Sequence, residues 1–219
     1  MVLVLTLAAC AQAPLPPPPL PPAPPVPPPV AIVIPPRPTP PDGASPQLRP
    51  PPVTPDGTRE SVNRKLTPNQ AVWNLRSAYT VAALNCRDPR NGTILPRYRQ
   101  FLAAHARALT GVYAGMEREF RERHGRGGEA LRDDYLTALY NHYALPPTQA
   151  RFCDVIDQIM RDGETVPSAG LAAFALTMLP AIEAVFDQFY DRYDQYRLAL
   201  ADWDARYGRI SHVRLEPLP

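Results

Sequence analysis

The chain has 219 residues, a formal net charge of +2 and 45% hydrophobic residues, with 31 prolines gathered mostly in its first quarter. That leaves material for one domain of ordinary size. A charge near zero, with no block of Lys and Arg, argues against nucleic-acid binding. Lys65 is the only lysine, so the basic residues are nearly all arginine.

Val2 to Leu7 form a brief apolar run, far short of the roughly 18 to 20 residues needed to span a bilayer. It ends in Leu7-Ala8-Ala9-Cys10. This stretch resembles the lipobox of bacterial lipoprotein precursors: a leucine, two small residues and a cysteine. The family pattern also carries Lys or Arg before the apolar run, and here only Met1 stands there. The resemblance covers about ten residues. It implies a signal peptide over residues 1–9, acylation of Cys10 as the first mature residue, and export of everything after it. Ala11 in place of Asp resembles the sorting pattern of outer-membrane lipoproteins. Two acyl chains, at about 0.8 kcal/mol per buried methylene, would hold such a protein on a membrane.

From Pro14 to Pro55 proline dominates, with runs at Pro16 to Pro19, Pro27 to Pro29 and Pro50 to Pro52. Proline fixes φ, removes the backbone donor and pushes its predecessor toward extended conformations. The segment therefore reads as a polyproline II spacer, reaching roughly 130 Å over some 40 residues if fully extended. Asp56 to Leu66 is a polar junction. Residues 10–66 are thus expected as lipidated N-terminus and spacer, without a face to bury.

Folding is expected to begin at Thr67-Pro68-Asn69-Gln70, where Thr67 can cap, Pro68 suits the first turn and Gln70 completes a capping box. A first helix follows to about Asn85, with Val72, Leu75, Tyr79, Ala82 and Cys86 spaced by threes and fours. A second runs from near Pro96 to His124 along His105, Leu109, Val112, Met116 and Phe120, until Gly125 to Gly128 stop it. A third spans Glu129 to Tyr143. A fourth, through Phe152, Cys153, Ile156 and Met160, ends at Asp162-Gly163. Ser168 can cap the last and longest, which Pro180 should kink or divide and Gly208 should end.

The fold expected is therefore all-α: a somewhat elongated five-helix bundle over residues 67–208, followed by a tail at 209–219. The second helix leans basic and the fifth acidic, a sign difference that would favour packing the two together, although each exposed pair adds only a few tenths to about 1 kcal/mol.

Cys86 and Cys153 remain once Cys10 is acylated. An exported compartment favours joining them, and a closed loop of this length would stabilise by roughly 4 kcal/mol in the chain-entropy model. Neither has a second cysteine or histidine at ligand spacing, so no metal site is expected. His105 reads as a core residue, His124 as a helix-end cation, His212 as part of the tail, and His142 as the one histidine in a polar aromatic cluster. Motifs for haem attachment, a di-iron bundle or a serine-hydrolase elbow are absent from the sequence. No cofactor or catalytic residue is assigned.

The functional expectation is a lipid-anchored envelope protein, placed at the outer membrane facing the periplasm. It would present a helical binding or scaffolding domain, as monomer or homodimer, to an envelope protein or cell-wall partner. The alternatives are a cell-wall-turnover enzyme with acids in a cleft beside the fifth helix, and a carrier of an apolar ligand between helices.

Overall fold

The structure, a computed structural model, describes residues 34–208; Cys10 with its lipobox and the tail with His212 lie outside them. Residues 36–208 belong to one compact unit, which is all-α. Among the described residues there is no β-strand, only an isolated antiparallel bridge between Val53 and Arg59.

The first helix, α1 (Pro68–Asn85), begins with the capping box its sequence announces. Thr67 Oγ1 accepts from the Gln70 backbone N–H at 3.1 Å, and Gln70 Oε1 accepts from the Thr67 N–H at 3.0 Å. Ala71, Leu75, Ala78 and Ala82 have no exposed surface, and Gln70, Asn74 and Ser77 are buried with them. Such all-round burial places α1 at the centre of the bundle.

Around it stand α2 (Ile94–His124), α3 (Gly128–Tyr143), α4 (Gln149–Asp162) and α5 (Leu171–Tyr207). The corner between α2 and α3 requires glycine twice. Gly125 has φ +58, and a Cβ on Gly128 would sit 2.6 Å from the Phe120 carbonyl oxygen. α4 turns Phe152, Ile156, Ile159 and Met160 inward, and Cys153 on it is joined to Cys86 with Cα atoms 5.7 Å apart.

Pro180 does not divide α5, which runs unbroken from Leu171 to Tyr207. By length and composition α5 is the one helix among the described residues that could cross a membrane. Its first half instead buries Leu171, Ala175, Leu179, Ile182 and Phe186 in the bundle.

Two expectations are corrected. α2 and α5 do not pack along each other, because α1 lies between them and contacts both; burial of the apolar α1 outweighs an attraction between exposed charges. The second correction concerns residues 36–66, which form a strap laid on the helices rather than spacer. Ala44 is buried, and Leu48, Val62 and Leu66 pack against the core. Proline lacks a backbone donor but does not prevent side chains from docking, and the strap makes its contacts through them.

Candidate functional site

The strap follows α5 in the opposite chain direction, and the acids of α5 act as its rungs. Glu183 Oε2 accepts from Asn63 Nδ2 at 2.8 Å, Asp187 from Arg64 at 3.1 Å and Asp194 from Arg59 at 2.7 Å. Farther along, Arg192 pairs with Asp42, Tyr193 donates to the Ser45 carbonyl at 2.9 Å, and Asp204 takes both nitrogens of Arg37 at 3.1 and 3.2 Å. Glu183, Asp187, Asp191 and Asp194 are four, four and three residues apart, so one helix face carries them all. The sequence suggests a solvated acidic face; in the structure it is the docking track of the strap.

Asn63 is the hub beneath. Its Oδ1 accepts from Asn74 Nδ2 at 3.0 Å and from Tyr143 Oη–H at 2.9 Å, while Tyr135 donates to Asn74 Oδ1 at 2.6 Å. One strap residue thus satisfies polar groups on α1, α3 and α5, groups that burial would otherwise penalise. Burial pushes the Tyr143 hydroxyl well up from its usual pKa and that of Tyr135 up to about 12, so both remain hydrogen-bond donors.

Between the strap and the helices lies a cleft of about 1020 Å³. Thr54, Thr58 and Ser61 line it from the strap, Asn141 and His142 from α3, and Tyr190 from α5. Arg64 and Lys65 stand at the same opening. His142 Nε2 is 3.3 Å from Glu183 Oε2, each side chain 9% exposed. The contact has ion-pair distance without the direction of a hydrogen bond, so Nε2 has no hydrogen-bond partner. Burial raises the Glu183 pKa, but His142, Asn63 and Ser61 outweigh it and hold the carboxyl below its usual range. Asp187 is shifted the opposite way, upward, by burial and by the charge of Glu183. A lining of hydroxyls, amides and cations can hydrogen-bond a polar, hydroxylated or carboxylate-bearing ligand.

His105 lies elsewhere, buried on α2 with Nδ1 2.8 Å from Ser168 Oγ. Ser168 therefore serves His105 and opens a turn of 3-10 helix ahead of α5, without capping it by a side-chain bond. His105 borders a smaller cavity of about 310 Å³, lined also by Tyr79, Phe101, Phe174, Arg97 and Glu164. Desolvation lowers the His105 pKa. Among the described residues no group of three or more His, Cys, Asp or Glu converges as a metal site.

Of the residues singled out by sequence, Cys86 and Cys153 are brought together, and Cys10 lies outside the described residues. The cleft residues of the strap, Asn63 above all, carried no sequence signal beyond a polar junction. No family model, curated protein or solved structure matches this chain.

Proposed function

We propose that this chain is an exported lipoprotein, acylated on Cys10 and held at the outer membrane on its periplasmic side, whose helical head binds or scaffolds an envelope partner. Residues 11–35 would form the polyproline II tether, spanning about 80 Å at most, and the five helices with their strap would form the head. The observation that carries the reading is the use of the cysteines. Cys86 and Cys153 are joined to each other, as suits an oxidising compartment, which leaves Cys10 of the lipobox as the one cysteine of the sequence outside the bridge.

The test is metabolic labelling with a fatty acid. The wild-type chain should incorporate label and fractionate with membranes, whereas Cys10→Ser should take none and remain unprocessed. Label retained on the variant would sink the lipidation claim.

A second reading, the cell-wall-turnover enzyme, draws support from the cleft beside α5 and from the opposed shifts of Glu183 and Asp187. Both acids are engaged by the strap through Asn63 and Arg64, which favours the binding role. Release of soluble fragments from cell-wall material by the purified chain, abolished in Glu183→Gln, would reverse that preference.

A further inference from the structure

The outward face of α2 carries a row of unpaired arginines. Arg99, Arg107, Arg118 and Arg121 are all exposed. At 100° per residue they fall within an arc of about 100°, opposite the face that buries His105, Leu109, Met116 and Phe120. The row is about 33 Å long at 1.5 Å per residue. Gln100, Ala103, Thr110 and Ala114, also exposed, share the arc with them. Among the described residues none of the four arginines makes an ion pair. Glu117, which shares their side of the helix, is taken by Arg132 of α3 at 2.5 Å, and Glu122 stands at the edge of the arc.

Other exposed arginines, Arg49, Arg87 and Arg151 among them, likewise make no ion pair among the described residues; what sets the four apart is their alignment on one helix face. Strap arginines meet the acids of α5, Arg97 meets Asp157 and Glu164, and Arg161 meets Asp157. A solvated helix face ordinarily mixes signs, so that its cations find carboxylates three or four residues away. Here the arc holds four arginines and one acid, Glu117, and that acid is engaged by Arg132, which leaves each guanidinium of the row free to fork onto a carboxylate.

We propose that this row is a docking rail for the peptidoglycan of the cell wall, engaging the free carboxylates of its stem peptides. The partner rests on the export reading above. Three features favour a linear polyanion over other anionic surfaces. The rail has no large apolar side chain to enter a bilayer, and the apolar face of α2 is already inside the bundle, whereas a membrane-surface helix needs one free. The nearest aromatic rings, Trp73 and Tyr113 in the cavity beside Thr110, are engaged with each other and with Arg76 and Arg132 rather than offered to a base. The rail also lies across α1 from α5, the helix whose acids hold the strap, so the strap leaves it open.

The experiment is co-sedimentation of the full-length Cys10→Ser chain with purified, insoluble peptidoglycan. Because this protein carries no acyl group, its result is independent of the lipidation claim, which fatty-acid labelling reads separately. The chain should sediment with the polymer and be released by salt. The quadruple variant Arg99→Gln, Arg107→Gln, Arg118→Gln, Arg121→Gln should bind at least about tenfold more weakly, with an unchanged melting temperature. A charge control, Arg49→Gln with Arg87→Gln and Arg151→Gln, all exposed elsewhere on the head, should bind as the parent does. Peptidoglycan whose carboxylates have been converted to amides should lose the parent protein. Equal binding by the rail variant, no binding by the parent, or binding to phosphatidylglycerol vesicles in place of peptidoglycan would each overturn the proposal.

Discussion

Arg59 and Asp194, 135 positions apart in sequence, are joined by a 2.7 Å hydrogen bond in which the arginine is 8% exposed and the aspartate 40%. The burial is one-sided, so the two residues are not equivalent. Arg59 also donates to the Pro51 carbonyl at 2.8 Å and lies over the Tyr190 ring at 5.3 Å. Arg59→Met should therefore cost about 2 kcal/mol, the range for a hydrogen-bonded charge. Asp194→Asn, whose carboxylate can hydrate, should cost about half as much. Urea unfolding of the three proteins decides it, and equal losses in the two variants would mean that the strap is not anchored through Arg59.

Removal of the whole strap tests the larger claim. A chain of residues 67–208 loses Ala44, Leu48, Val62 and Leu66 from the core and Asn63 from its hub. Glu183, Asn74 and Tyr143 then lose the partner they share. Relative to residues 34–208, the loss should be about 3 kcal/mol or more, or roughly 6 to 12 °C in a domain of this size. Thermal melting of both chains gives the answer, and melting within about 2 °C of each other would return residues 36–66 to the role of spacer.

The helices were legible because their signals are local. The Thr67 and Gln70 capping box, the glycines at 125 and 128 and the three-four spacing of the apolar residues act within one or two turns. The strap was not, because nothing in it repeats. Its contacts are single side chains: Ala44 and Leu48 join the core, while Arg59 and Asn63 meet Asp194 and Glu183 more than a hundred residues later, and the prolines around them mask the segment as linker. The acids of α5 were visible, but their partners could not be read from spacing. The same blindness produced the expected pairing of α2 with α5: charge sign was evident, whereas the interposition of α1 depends on its all-round burial.

The bridge between Cys86 and Cys153 closes a loop with a sequence separation of 67. It ties the end of α1 to α4. Restricting the unfolded chain in this way should stabilise by about 4 kcal/mol in the entropy model, and by 2 to 4 in typical cases. Cys86→Ser with Cys153→Ser should lower the urea midpoint accordingly while keeping the helix content. Mass spectrometry of a nonreduced digest of exported protein should show the two peptides linked, and alkylation of both thiols in that protein would dispose of the claim.

Acid stability should report the Glu183 contacts. Its pKa is lowered from the ordinary value of 4.5, so the folded chain releases that proton more readily than the unfolded one. The resulting stabilisation is fully present above pH about 4.5 and is lost as pH falls through the lower, folded value. Asp187 has the opposite sign: its pKa is raised from 3.8, which favours the folded state below that value and fades as pH rises through the folded one. The two partly offset each other in the native protein, so a single titration curve of stability is ambiguous. Glu183→Gln removes the first and, by taking away a neighbouring charge, relaxes part of the Asp187 shift as well, while the exposed Asp56 and Asp88, also lowered, are common to both proteins and cancel. The variant should be less stable than the parent at pH 7, because Asn63 loses a charged acceptor. Between pH 5 and pH 3, roughly the window set by these values, the parent should lose stability more steeply, so that the difference between the two narrows. Denaturant unfolding at half-unit steps of pH measures both slopes, and parallel curves would show that Glu183 is not held as an ion by His142 and Asn63.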